Sequence, residues 1–501
     1  MRAVKTACIG KDGWSIEQVW EAVDGEVSVV LGDEARAAIA AAHAVVRARC
    51  AGGAAVYGVN TGFGDLASVR IQDSDLAELQ RRLVLSHACG VGDPVPPRIV
   101  RTMLLLKVLG LARGYSGVAV ETVEVLLKFF TEDVLPVVPS QGSLGASGDL
   151  APLAHLVLPL IGEGEVSSRG ARRPASEVLD LWGLKPCVLG PKEGLALING
   201  TQLMSAYAVE GIRRMARCAA AADALAALSL EAWHGRPEPF HEAIHRVRPH
   251  PGAAESARCV RAWLSGSRQQ DEPRLQVQDP YSFRCVPQVH GASRDVLDHA
   301  RRVIGRELCG VTDNPLVFPE TGEILSGGNF HGQPLALTLE AMALATHEWS
   351  SISERRTFKL LAGRQGLPAF LAPEPGLNSG LMIPQYTAAS LVSQNKHLCT
   401  PAAADTIDSS NGQEDHVSMG ANSALKLWKI LDNTEYVLAI ELLTAAQAMD
   451  IRGLEGMAPA LRRLHASFRT RVPFVREDVF LAPLLNAAVQ WLREEAVFQP
   501  D

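Results

Sequence analysis

The segment Gly142-Ser143-Leu144-Gly145-Ala146-Ser147-Gly148-Asp149-Leu150-Ala151-Pro152 gathers small residues around one serine, and several kinds of chemistry compete for it. As a nucleophile elbow, Gly145-x-Ser147 needs a glycine where Asp149 stands, and no strong strand precedes it. As a phosphate cradle it lacks the closing Gly-Lys-Ser/Thr. A plain flexible loop would satisfy the composition. The remaining reading is a backbone cyclisation. Attack of the Gly148 nitrogen on the Ala146 carbonyl closes a five-membered ring, and loss of water from Ser147 leaves an exocyclic methylidene. That approach tolerates few β-carbons, which accounts for glycine at the attacking position and a small residue at the other. The product is an electrophile that the twenty side chains do not supply.

A second pattern, His241-Glu242-Ala243-Ile244-His245, matches the H-E-x-x-H of zinc proteases. Pro239 and Pro249 leave it about two helical turns. A third ligand would have to be His234 or His250, and neither falls at a known spacing. Surface or core histidines are the expectation, and no metal is expected.

Around the cyclisation segment lie further ordered motifs: Tyr57-Gly58-Val59-Asn60-Thr61-Gly62-Phe63-Gly64, Leu197-Ile198-Asn199-Gly200-Thr201, Gln278-Asp279-Pro280-Tyr281-Ser282-Phe283-Arg284, Gly327-Gly328-Asn329-Phe330-His331 and Gln413-Glu414-Asp415-His416-Val417-Ser418-Met419. Together they resemble the aromatic amino acid lyase family over residues 13–454. The resemblance implies a 4-methylidene-imidazol-5-one formed autocatalytically from Ala146, Ser147 and Gly148, with no external cofactor. It implies Tyr57 as general base for the β-proton, with a lowered pKa, since tyrosine ordinarily ionises near pH 10. Arg284 is expected to take the substrate carboxylate bidentately, a geometry lysine does not offer. Asn199, Gln278 and Tyr281 are expected to hydrogen-bond the ring, the carboxylate or the departing amine, and Phe330 to pack against the electrophile. The family also implies a homotetramer whose active sites each draw residues from three chains.

Two places bear on the substrate. Ser86-His87 resembles histidine-specific members, where tyrosine lyases tend to carry His-Leu and phenylalanine lyases Phe-Leu. Glu414 stands where aromatic-specific members have a different loop, usually Gln-Asp. An imidazole offers one donor and one acceptor, and a histidine with a carboxylate can meet both. A phenyl ring would leave those groups unpaired, at roughly 1–3 kcal/mol for a neutral group. L-Histidine is therefore the expected substrate and trans-urocanate the product. A tyrosine or phenylalanine lyase, or an aminomutase returning the ammonia to the β-carbon, would share the electrophile. Gly412, where histidine-specific members often have asparagine, is expected to loosen the Glu414 loop.

These residues need rigid elements to hold them. Apolar residues recur at three- and four-residue spacing through residues 201–233, 335–361 and 421–449, which predicts long helices packed in a bundle. Strand patterns are few: residues 27–31, and residues 164–168 pairing across a turn. The expected fold is mainly α, a long central antiparallel helix bundle (residues 201–501) with a smaller mixed N-terminal region (residues 1–200) carrying the active-site loops. Asp149 reads as the N-cap of a helix, and Ser410 with Gln413 reads as a capping box. The chain has 501 residues, 47% hydrophobic, and a net charge of −7. That charge offers no field for nucleic acid or an anionic membrane. Nine cysteines without a C-x-x-C pair suit a reducing cytoplasm. No apolar run at the N-terminus suggests a signal peptide, and residues 218–230 fall short of a membrane span.

Overall fold

The computed structural model describes residues 5–51, 57–62, 71–268, 276–494 and 498. Phe63 and Gly64 of the first motif lie outside the described residues. The protein is mainly α. The three long helices run over Gln202–Trp233, Gln333–Leu360 and Gly420–Arg452, within a few residues of the periodic stretches. No helix among the described residues is long and apolar enough to cross a membrane.

Strands are short and few. Val27–Leu31, rich in β-branched residues, pairs in parallel with Lys5–Ile9. The crossover between them is the helix Ile16–Val23, started by a capping box of Ser15 and Gln18. Glu165–Ser168 pairs antiparallel with Ala171–Pro174 across the Arg169-Gly170 turn, as the pattern predicts.

Contacts divide the chain into two compact units. The first comprises residues 1–210, 301–339 and 401–425, and the second residues 211–300, 340–400 and 426–501. In the first unit the helix Pro97–Ala112 is buried on nearly every face, including the side chain of Lys107.

In the second unit the helices alternate in direction. Asp223 meets His290, while Ala219 meets Arg294 four residues further on, so the Val286–Glu307 helix runs against Gln202–Trp233. Asn395 meets Ser350 and Gln385 meets Glu354, so Met382–Leu398 runs against Gln333–Leu360. Lys426 with Glu340 and Arg356 with Glu441 set Gly420–Arg452 running with Gln333–Leu360. Neighbours in sequence thus pack up and down, as an antiparallel bundle requires.

Two local expectations are corrected. No α-helix begins at Ser410, only a single 3-10 turn over Ser410–Gly412. Ser410, Asn411 and Gly412 have φ of 51°, 55° and 85°, a left-handed turn suited to Asn-Gly that no α-helix can include. The helix starts instead at Gly420, whose N–H donates to the Ser418 hydroxyl. Asp149 does occupy the N-cap position of the helix Leu150–Val157, but its carboxylate does not cap that helix. It accepts from the N–H groups of Leu203 and Met204, at 2.9 and 3.1 Å, in the first turn of Gln202–Trp233.

Candidate active site

Ala146 and Ser147 form the tip of a tight turn that Gly145 and Gly148 close by pairing with each other. Gly148 N–H donates to the Gly145 carbonyl at 3.2 Å. Ser147 is held at φ 51°, a conformation that costs a non-glycine residue of order 1 kcal/mol or more. Gly148 sits at φ 82° against Gly200, and a β-carbon there would overlap the Gly200 carbonyl oxygen. Glycine is thus demanded twice, by the turn and by the neighbouring chain. Gly200 grips the loop from both sides: its N–H donates to the Ser147 carbonyl at 3.3 Å, and its carbonyl accepts from Asp149 N–H at 2.7 Å. Met419 N–H, donating to the Leu144 carbonyl, ties in the loop that carries Glu414.

This turn opens into a cavity of about 590 Å³ within the first unit. Tyr57, Ala146, Ser147, Asn199, Phe330 and Glu414 all line it. Residues more than 350 positions apart in the sequence therefore meet in one cavity.

Asn199 ends the helix Glu193–Ile198 and is buried. Its Nδ2 donates to the Asn314 carbonyl at 3.1 Å, and its main-chain carbonyl accepts from Lys107 Nζ at 2.7 Å. The amide oxygen has no hydrogen-bond partner among the described residues, so the side chain is fixed with an acceptor to spare.

Glu414 is oriented by the Ser409 hydroxyl, which donates to its Oε2 at 2.8 Å, while the two backbones exchange hydrogen bonds across the 409–414 turn. His87 ends the helix Leu76–His87, with Nδ1 bonded to the Leu83 carbonyl at 2.8 Å. Burial pushes its pKa below the ordinary histidine value, against the Leu83 bond and the Glu414 carboxylate. The neutral ring therefore carries its proton on Nδ1 and offers Nε2 as an acceptor. His87 stands within the field of Glu414 but not among the residues lining the cavity.

Gln278, Tyr281 and Arg284 belong to the second unit. Gln278 and Arg284 line a cavity of about 560 Å³ there, and Tyr281 is 70% exposed with the Arg284 guanidinium 4.6 Å above its ring. Arg284 Nε is buried without a partner among the described residues.

Several lining residues carry no catalytic or binding expectation from the sequence: Asn314, Ser326, His331, Gln413, Asp415 and His416. His331 has a definite task. Its Nδ1 accepts from Gln333 N–H at the start of a long helix, and its Nε2 lies 3.2 Å from the His416 carbonyl. A neutral Nε2-protonated ring satisfies both, and ties the Glu414 loop to the helix beside Phe330. The motif Gly-Gly-Asn-Phe-His contained the signal. Asn314 was marked only by Asn-Pro, which reads as an ordinary turn.

The H-E-x-x-H histidines do not converge. His241 Nδ1 accepts from Ala243 N–H at the start of a five-residue helix, and His245 Nε2 lies 3.1 Å from the Pro239 carbonyl. Among the described residues no group of three His, Cys, Asp or Glu side chains could hold a metal ion.

Known proteins resemble the chain in both sequence and fold. A model of the aromatic amino acid lyases matches residues 14–470. A histidine ammonia-lyase of Anaeromyxobacter dehalogenans is 49% identical over 99% of this chain and 100% of its own length. The crystal structure of histidine ammonia-lyase from Trypanosoma cruzi superposes with a TM-score of 0.91 at 40% identity, covering 98% of this chain and 94% of that one. A tyrosine aminomutase from Streptomyces globisporus superposes equally well, at 0.92, with 34% identity over 97% and 96% of the two chains. With its family model spanning most of the sequence and relatives near half identical over its length, the chain belongs to the aromatic amino acid lyase family.

Proposed function

We propose that the protein eliminates ammonia from L-histidine to release trans-urocanate. The observation that carries this is the Ala146-Ser147-Gly148 turn, braced by Gly200, in one cavity with Tyr57, Asn199, Phe330 and Glu414. The residues fit a 4-methylidene-imidazol-5-one: the turn already brings Gly145 and Gly148 together, and Gly148 has no room for a side chain. Such a group, made from Ala146, Ser147 and Gly148 with no external cofactor, would supply an electrophilic exocyclic carbon.

The chain's own residues then divide the work. Tyr57 removes the β-proton of the substrate, and the amine leaves as ammonia. The spare oxygen of Asn199 accepts from the amine. Arg284, whose buried Nε lacks a partner among the described residues, receives the substrate carboxylate with Gln278 beside it. Tyr281 bonds the departing amine, and Phe330 excludes water. Glu414 accepts the imidazole N–H, with His87 standing beside it in its field.

Substrate choice rests on these last two residues, because the same fold serves a tyrosine aminomutase. The second-unit residues enter by assembly. The reading is a homotetramer in which Gln278, Tyr281 and Arg284 reach the first-unit cavity of another copy. Nine free cysteines support a cytoplasmic protein. The test is intact mass. The wild-type protein is expected two waters below its encoded mass, and Ser147→Ala to restore at least one water and abolish turnover. An active Ser147→Ala enzyme would sink the mechanism, and a monomer by sedimentation at micromolar concentration would sink the shared site.

A further inference from the structure

Lys107 is fully buried, yet the proposed chemistry gives it no task. We propose that Lys107 is a positioning residue for the electrophile: it holds and polarises the Asn199–Gly200 peptide, whose N–H grips the Ser147 carbonyl. This inference rests on the ring reading above.

The Asn199 carbonyl and the Gly200 N–H belong to one planar amide. Lys107 Nζ donates to that carbonyl at 2.7 Å, and the N–H at the other end donates to Ser147 O at 3.3 Å. A cation on an amide oxygen draws electron density through the amide and strengthens its N–H as a donor. The Ser147 oxygen is the atom that would become the ring carbonyl, conjugated with the methylidene. Negative charge gathers there when a nucleophile adds to the exocyclic carbon. A donor fixed in advance at that oxygen favours the addition, as an oxyanion hole does.

The setting favours this over a simple structural tie. Lys192, equally buried, is matched by the Asp313 carboxylate at 2.6 Å. Lys107 instead spends its hydrogen bond on a neutral carbonyl, an expensive use of a buried ammonium. Burial pushes its pKa down to about 7; Asp313 and Asp149 oppose that shift and Lys192 adds to it. The Pro97–Ala112 helix, nearly all of it buried, delivers the side chain from a rigid support.

The test compares full-length Lys107→Met, Lys107→Arg and Lys107→Gln with the wild type. Intact mass reports whether the ring forms. The rate at which borohydride bleaches the ring's absorbance reports its electrophilicity, and kcat and KM for L-histidine report turnover. All variants are expected to carry the ring. Bleaching and kcat should fall about tenfold in Lys107→Met, less than for loss of a direct donor. KM should change by less than about twofold, and Lys107→Arg should recover most of the loss. Lys107→Gln, an uncharged donor, should fall between. If the Met variant does not fold, the Gln and Arg variants decide on the same measurements. A ring-bearing Met variant that bleaches and turns over at the wild-type rate overturns the proposal. So does equal impairment of Met and Arg, or a ring missing from Met while Arg carries it. A wild-type mass without the loss of two waters would fail the ring reading itself, separately and before any variant is made.

Discussion

Two aspartates, Asp223 in the second unit and Asp149 in the first, are both fully buried and are treated in opposite ways. Asp223 accepts from Ser256 at 2.6 Å, from His290 at 2.7 Å and from Arg294 at 2.6 and 3.1 Å. Burial alone would raise its pKa, but these partners hold it below the ordinary carboxylate value. Asp149 has two backbone N–H groups on one oxygen, and its other oxygen has no partner among the described residues. Burial pushes its pKa up to about 7. In the bundle the Asp223 carboxylate is thus matched on both oxygens and ties two helices together. Beside the Ala146-Ser147-Gly148 turn, two buried polar atoms are left with capacity: Asp149 Oδ1 and Asn199 Oδ1 both lack partners among the described residues.

Breaking the saturated side should have the largest effect. Asp223→Ala strands Arg294 and His290 and is expected to cost about 3–5 kcal/mol of stability, seen as a clearly lower Tm. A variant as stable as the wild type would break the comparison. On the site side, Glu414→Gln replaces a charged acceptor with a neutral one, worth about 1.5–3 kcal/mol. Catalytic efficiency on L-histidine should fall roughly ten- to a hundredfold with Tm unchanged. A loss of Tm without a loss of efficiency would return Glu414 to the scaffold.

The smallest effect sharpens the comparison through pH. Because the folded pKa of Asp149 is raised to about 7, its protonated form is the one the fold favours. That contribution is complete below the unfolded carboxyl value and is lost as pH rises through about 7. Asp149→Asn lacks the titration, so its Tm should gain on the wild type between pH 4 and 7 and hold a constant lead above that. Lys107, lowered to about 7, has the opposite sign: its contribution is present at high pH and fades as pH falls. It is common to both proteins and cancels to first order. A Tm difference flat across this range would mean that Asp149 stays ionised like Asp223.

How much of this is legible in the sequence depends on range. The 3.6-residue period of residues 201–233 persists for many turns, and the observed helix begins one residue later. Val27–Leu31 is equally plain because β-branched residues fill it. The proposed ring is legible for a different reason: its three residues, Ala146, Ser147 and Gly148, would have to be adjacent for it to close. The failures are contests between local signals. Ser410 with Gln413 has the letters of a capping box, but Asn411-Gly412 between them prefers a left-handed turn. Asp149 stands at a helix start, yet a second helix start, at Leu203 and Met204, takes its carboxylate. Spacing along the chain carries no record of that second helix, nor of residues 301–339 and 401–425 packing with the first unit. Lys107 is the extreme case, a lysine in an apolar helix whose partner is a backbone carbonyl 92 residues away.

The central claim is elimination of ammonia from L-histidine, governed by His87 and Glu414. It is tested most directly by ultraviolet absorbance after adding L-histidine, L-tyrosine or L-phenylalanine separately to the purified protein. The account predicts a urocanate band with L-histidine alone. A coumarate or cinnamate band without urocanate would contradict the roles given to His87 and Glu414, and silence with all three would contradict the elimination itself.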